Sequence, residues 1–150
     1  MSEPKITKRD VLLASKGMLQ KLLYVVFTRP VKGIGPVMEN IEDHLRFQVE
    51  LEKRGIMFGA GPFFADNEID WQGEGMVIIR AESLAEAKDI AASDPMHKTG
   101  ARSFEVRPWL LNEGTLTVKI SYSDGGRQVI EKIFHDSCQQ PTRETTTQGL

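Results

Sequence analysis

The sequence predicts an α+β domain in which four strands and two helices follow one another in the order β-α-β-β-α-β. Three observations carry that expectation. Compact apolar runs rich in strand-forming residues recur four times, as "KLLYVVFTR", "IMFGAGPFF", "MVIIRA" and "ARSFEVRPW". Two amphipathic stretches with helical spacing separate them. Glycine and proline stand at the joints, where a chain must turn.

Residues 1–20 precede this pattern and form an N-terminal extension, expected to be helical in part between residues 8 and 20. The first strand covers residues 21–29 and stops at Pro30 and the "KGIGP" loop. Pro36 suits the first turn of a helix, where its missing N–H costs nothing, and that helix is expected to run to Arg54 with Gly55 as its C′ residue. The second strand spans residues 56–64, and Gly59 and Gly61 mark a bend or a close approach. "ADNEIDWQGEG" reads as a loop before the third strand at residues 76–81. Ser83 and Glu86 have the spacing of a capping box for a helix over "LAEAKDIAA". The fourth strand covers residues 101–109.

This order is the split βαβ, or ferredoxin-like, arrangement. A two-layer sandwich of this kind leaves one sheet face without helices, so a homodimer with the sheets packed together is the natural expectation. The core domain is placed at residues 21–112 and is followed by a β-hairpin arm at 113–135, signalled by Asp124-Gly125-Gly126 between two strand-like runs. This arm is expected to pack on its own domain or on the partner subunit. Residues 136–150 are polar and predict a disordered tail.

Composition narrows the function classes. Forty per cent hydrophobic and 27% charged residues suit a soluble globular chain of 150 residues with a core of its own. A net charge of −2 without a basic run speaks against nucleic acid as a partner. No apolar run reaches a membrane span, and residues 1–20 lack the apolar core of a secretory signal, which predicts a cytosolic protein. The one cysteine, Cys138, lies in the polar tail and reads as a surface thiol. The three histidines, His44, His97 and His135, match no zinc spacing, so no metal is expected. "KGIGP" and "GAGPFF" both lack the context of a nucleotide loop, and no serine sits in a nucleophile elbow, so no cofactor is expected either.

Two segments invite a chemical reading. At about 100° per residue, a helix over 37–54 collects Glu39, Glu42, Asp43, Arg46, Glu50, Lys53 and Arg54 on one side. Val37, Met38, Ile41, Leu45, Val49 and Leu51 collect on the other, with Phe47 at its edge. His44 and Gln48, one turn apart, fall in the apolar sector although exposed positions were available. A histidine there needs a hydrogen-bond partner or loses roughly a few kcal/mol on desolvation. It is either a bonded core histidine or an imidazole aimed into a cavity, and an ordinary pKa near 6.5 suits imidazole to proton transfer. Asp94 is explained as the N-cap of a turn that begins at Pro95, yet its second oxygen remains available to a histidine. His97 is a competing partner for it, three residues away.

Taken together, "LYVVFTR", "HLRFQVELEKRG", "GAGPF", "VIIRAESLAEAKDIAASDPM" and "FEVRPW" resemble the YCII-like (YciI) family of the dimeric α+β barrel group over roughly residues 22–110. The resemblance implies a ferredoxin-like subunit, a homodimer, and a cleft between helices and sheet holding a His–Asp pair, which by position is His44 and Asp94. Proteins similar to the family include a dehydrochlorinase of chlorinated hydroxyhydroquinones, and related barrels include muconolactone isomerases. The implied chemistry is cofactor-free proton transfer on small ring compounds from aromatic catabolism, by a lyase or isomerase. The N-terminal extension, the arm after Asn112 and the extra histidine in "DPMHKTG" fall outside the family pattern.

On this reading His44 moves a proton next to a carbonyl or enol and Asp94 orients its ring. Gln48 and His97 are polar neighbours, Phe63, Phe64 and Trp71 are candidate walls for a flat substrate, and Arg80 or Arg102 is a candidate holder of its carboxylate or phenolate. Two alternatives share the architecture: a dimeric small-molecule-binding protein without catalysis, and a cofactor-independent oxygenase.

Overall fold

Residues 3–130 are described by the computed structural model. They fall into two compact units, the first ending at Glu113 and the second beginning at Gly114. The expected tail with Cys138, and His135 at the end of the expected arm, lie outside the described residues.

The first unit is an α+β sandwich of ferredoxin-like topology. Its elements are α1 (Lys8–Ala14), β1 (Lys21–Pro30), α2 (Ile34–Glu39), α3 (Ile41–Lys53), β2 (Met57–Phe64), β3 (Trp71–Ile79), α4 (Leu84–Ala92), α5 (Pro95–Lys98) and β4 (Arg102–Leu111). The sheet order is β2-β3-β1-β4, with every neighbour antiparallel. The long apolar run of β1 takes the interior position, as a strand flanked on both sides should. Its partner β4 pairs along the full length, from Lys21 opposite Leu111 to Pro30 opposite Arg102.

Alternation along the strands sorts the side chains. Tyr24, Val26, Val77, Ile79 and Val106 face the helices and form one buried cluster with Ala87 and Ala91 of α4. Small residues at 87 and 91, one turn apart, let α4 lie close on the sheet. Val25, Phe27, Met76 and Ile78 occupy the opposite face, where they line a shallow depression with Arg107, Pro108 and Trp109.

Several local expectations are revised. The stretch 34–53 is two helices rather than one, because Asn40 interrupts it. The Asn40 side chain donates to the Pro36 carbonyl at 2.8 Å, while its backbone N–H turns to Val37 O. Its own carbonyl then accepts the His44 N–H and starts α3. Pro36 accordingly lies inside α2 instead of opening it, and Gly33 is the N-cap. The sheet-facing side of α3 is also narrower than the apolar sector. His44, Phe47, Gln48 and Leu51 turn to the sheet side, while Met38, Leu45 and Val49, expected inside, are 52%, 54% and 46% exposed.

The third strand begins at Trp71, five residues before its expected start, because Phe64 and Trp71 close the β2–β3 ladder. The Ser83 cap is present, but Glu86 reaches back to the Glu82 N–H at 2.6 Å instead of to Ser83 itself. The end of α3 follows expectation. Gly55 has φ +70, and the N–H groups of Gly55 and Ile56 return to Glu52 O and Leu51 O, a Schellman closure.

The second unit is a two-stranded antiparallel hairpin, β5 (Thr117–Ile120) and β6 (Arg127–Ile130). Asp124 Oδ1 accepts the Gly126 N–H at 2.8 Å and closes the turn. Among the described residues no helix is long and apolar enough to cross a membrane.

One glycine is dictated by packing. Gly73 has φ +90, and a Cβ there would lie 2.7 Å from the Pro30 ring and 3.1 Å from Ile34 Cδ1. Gly73→Ala is therefore expected to lower unfolding stability by about 1–3 kcal/mol. Urea denaturation measures it, and an unchanged midpoint would show that α2 does not depend on this close approach.

Candidate active site

Where the helix layer meets the β1 end of the sheet, side chains do not fill the space. Core residues occupy the Tyr24–Ile79 end. At the other end the helix-facing position opposite Thr28 is Gly75, and Gly75 in turn lies opposite Pro62. A cavity of about 440 Å³ results, within the usual range for a small-molecule site. Its floor is Thr28 of β1, Ala60, Gly61, Pro62 and Phe64 of β2, Trp71 and Glu74–Val77 of β3, and Arg102 of β4. Its roof is Ile41, His44, Leu45 and Gln48 of α3.

The centre of the site is Asp94, 2% exposed at the junction of α4 and α5. It is the N-cap of α5, where Oδ1 accepts the Met96 N–H at 2.9 Å and Pro95 takes the first helical position. The carboxylate also accepts from His44 Nδ1 at 2.8 Å and 3.0 Å, and from Gln48 Nε2 at 3.1 Å. Residues 50 positions apart in sequence thus meet directly. Burial alone would raise the Asp94 pKa, but the hydrogen bond from His44, its charge and the Met96 N–H outweigh that effect and hold it below the ordinary carboxylate value.

These directions define the His44 tautomer. A carboxylate held ionised only accepts, so His44 Nδ1 carries the proton and Nε2 is the basic nitrogen. Among the described residues nothing else bonds to the His44 ring, and His44 forms part of the cavity roof. An imidazole oriented by a buried carboxylate, in a residue that lines a cavity, is the kind of group that takes a proton from a bound molecule and returns it.

The other expected site residues separate into two groups. Gln48, Phe64, Trp71 and Arg102 line the cavity. Phe63, Arg80 and His97 do not. Arg80 instead donates to the carbonyls of Gly55 and Met57, at 3.1 Å and 2.8 Å, and covers the Phe58 ring at 5.3 Å. Phe63 is half exposed on the edge strand, on the other side of the pleat from Pro62 and Phe64. His97 does not compete for the Asp94 carboxylate. Its Nδ1 donates to Ala91 O at 2.6 Å, and Thr28 Oγ1 lies 2.8 Å from its Nε2. Burial lowers the His97 pKa more than the Ala91 carbonyl and the charge of Asp94 raise it. With the ring proton on Nδ1, His97 Nε2 accepts a hydrogen bond from the Thr28 hydroxyl, and the ring lies tilted against Phe104, centroids 4.4 Å apart.

Thr28 and Glu74 escaped the sequence reading. For Thr28 a signal exists: it is the polar member of the helix-facing series Tyr24, Val26, Thr28. For Glu74 none exists, because its place on the cavity depends on the early start of β3. Among the described residues no group of three or more His, Cys, Asp or Glu side chains is placed to hold a metal.

The YCII-related domain family matches residues 22–110, more than half of the chain. The chain belongs to the YCII family. Its ferredoxin-like unit is the matched region, and α1 and the hairpin lie outside it. Among solved structures, the chain is similar to 5-chloro-2-hydroxyhydroquinone dehydrochlorinase (TftG) from Burkholderia phenoliruptrix AC1100, in complex with 2,5-dihydroxybenzoquinone. That similarity is 21% identity at a TM-score of 0.45, covering 58% of this chain and 92% of the other. No match was found among the curated proteins.

The depressed Asp94 pKa has a consequence for stability. The unfolded carboxyl titrates near 3.9, so Asp94 contributes fully above about pH 4 and loses its contribution as pH falls through its lower folded value. Asp94→Asn cannot titrate and should lose stability less steeply over that acid window. Urea titrations between roughly pH 6 and pH 3 would show it; parallel slopes would mean that the carboxylate is not the linked group.

Proposed function

We propose that this YCII-family protein is a small cofactor-free lyase or isomerase in which His44 and Asp94 move a proton on a small cyclic, aromatic-derived substrate. The observation that carries this reading is the buried His44–Asp94 bond through Nδ1, in a residue that lines the cavity and whose other ring nitrogen has no partner among the described residues. Family membership supports it, since the YCII resemblance implies a His–Asp cleft at these positions.

In the proposed cycle His44 Nε2 takes a proton from a carbon next to a ring carbonyl, and the C–H electron pair moves into an enolate. Asp94 stabilises the imidazolium that forms. An isomerase returns the proton to a different ring carbon; a lyase expels a leaving group from the neighbouring carbon as the enolate collapses. Trp71 and Phe64 supply flat apolar walls for the ring. The substrate is a small molecule, and the reading uses neither nucleic acid nor membrane.

His44→Gln retains a polar side chain but no base. It is expected to lower turnover about 10²–10⁴-fold on whichever member of a panel of chlorinated hydroxyhydroquinones and muconolactones the wild-type protein transforms. Circular dichroism establishes that the variant is folded. Unchanged turnover would remove His44 from the mechanism, and ligand binding without any wild-type turnover would favour a binding protein.

The same reading has the protein acting as a homodimer through the sheet face that bears no helices. The depression of Val25, Phe27, Met76, Ile78, Pro108 and Trp109, apolar but for Arg107, supports this, since water-facing strands normally carry more polar side chains. Sedimentation should give a dimer for the wild type and a monomer for Ile78→Lys; a dimer in both would place the interface elsewhere.

A further inference from the structure

Arg102 is an ion without a counter-ion. Its side chain is 5% exposed and forms part of the cavity floor. Among the described residues no carboxylate lies within salt-bridge distance of it, and its buried Nε has no acceptor. Burial lowers its pKa, and the charge of Asp94 only partly opposes that effect. Asp94 is not its partner: the Asp94 carboxylate accepts from His44, Gln48 and Met96 and lies beyond salt-bridge distance of Arg102. Glu74, the acidic side chain on the cavity wall, pairs instead with Arg29 at 3.5 Å.

What Arg102 does have is an aromatic support. Its guanidinium carbon lies 5.7 Å from the Trp71 ring centre, and that ring is held by a 2.8 Å bond from its N–H to Glu74 O. Cation–π contact compensates a buried guanidinium only in part and leaves its in-plane N–H groups unused. The amide oxygen of Gln48 is a second buried group without a partner, while its Nε2 is engaged by Asp94. Unsatisfied buried groups of this kind are costly and need explanation.

We infer that the cavity is built for an aromatic oxyanion: Arg102 holds the oxyanion and Trp71 flanks it. This names the substrate class for the proposed function and rests on that reading only for the identity of the cavity. The oxyanion is either a ring carboxylate or a ring phenolate, both planar and both matched to the guanidinium fork.

Binding assays without turnover test it. Wild-type protein is titrated with salicylate, benzoate, the neutral isostere benzamide, and 4-nitrophenol at about pH 8. Salicylate and benzoate are expected to bind about 10–100-fold more tightly than benzamide. A preference for 4-nitrophenolate over the carboxylates, with its absorbance shifted on binding, would assign the phenolate as the source. Arg102→Met should bring the anions down to the benzamide affinity while leaving benzamide itself within about twofold, and Arg102→Lys should restore part of the difference. Equal affinity of wild type for benzoate, 4-nitrophenolate and benzamide overturns the inference whether or not the Arg102 variants fold. Anion selectivity retained in a folded Arg102→Met variant overturns it as well. His44→Gln should keep the anion preference, so loss of turnover there with selectivity intact separates failure of the base from failure of the anchor.

Discussion

A carboxylate removed from water must be surrounded by donors, and the site is organised around meeting that demand at Asp94. Three groups from two parts of the chain converge on it: the Met96 N–H, the Gln48 amide and the His44 ring. The first is local and comes with the α5 cap. The other two come from α3, so satisfying the charge also sets the distance and rotation of α3 over the sheet. Removing either half leaves a buried group without its partner, which costs more than the bond itself is worth. Structure and chemistry therefore share one interaction, and the same bond that docks α3 determines which nitrogen of His44 is basic.

The cavity follows from where bulk is missing. The helix–sheet layer is packed by Tyr24, Val26, Val77, Ile79 and the small alanines of α4 at one end. At the other, Gly75 and Thr28 face α3 across unfilled space. The polar groups in that space are not distributed at random. Thr28 is engaged by His97, and Asp94 by three donors, whereas Arg102 has no counter-ion. A cation without a carboxylate partner, beside an oriented imidazole, is the polarity that the proposed aromatic oxyanion would meet.

Much of the architecture was legible because it is written in periodicity. Strand runs, the cap at Asp94, Ser83 as a cap and the Gly55 closure are local features, and local chemistry places them. The errors have a common origin in interactions that periodicity does not contain. A wheel drawn over 37–54 assumes an unbroken helix, and the Asn40 side chain bonding to Pro36 breaks it. The wheel still singled out His44 and Gln48 as polar residues on an apolar face, but it placed Leu45 and Val49 inside with them. The early start of β3 was hidden for a similar reason, since "WQGEG" has little strand propensity and is extended by pairing with β2.

The sequence by itself determined the element order, the layer arrangement and the two unusual residues, His44 among apolar positions and Asp94 before a proline. Those depend on neighbours within a few positions, where backbone geometry and side-chain spacing are decisive. Only the tertiary structure decided which polar groups are paired. His97, close to Asp94 in sequence, is turned away to Ala91 and Thr28, whereas His44, 50 residues off, is the one that bonds. Arg80 and Arg102 looked equivalent as cations; one is engaged by backbone carbonyls and the other is buried without an anion. Hydrogen-bond pairing and burial are properties of distance in space, and a linear chain carries them only through the fold that brings its distant segments together.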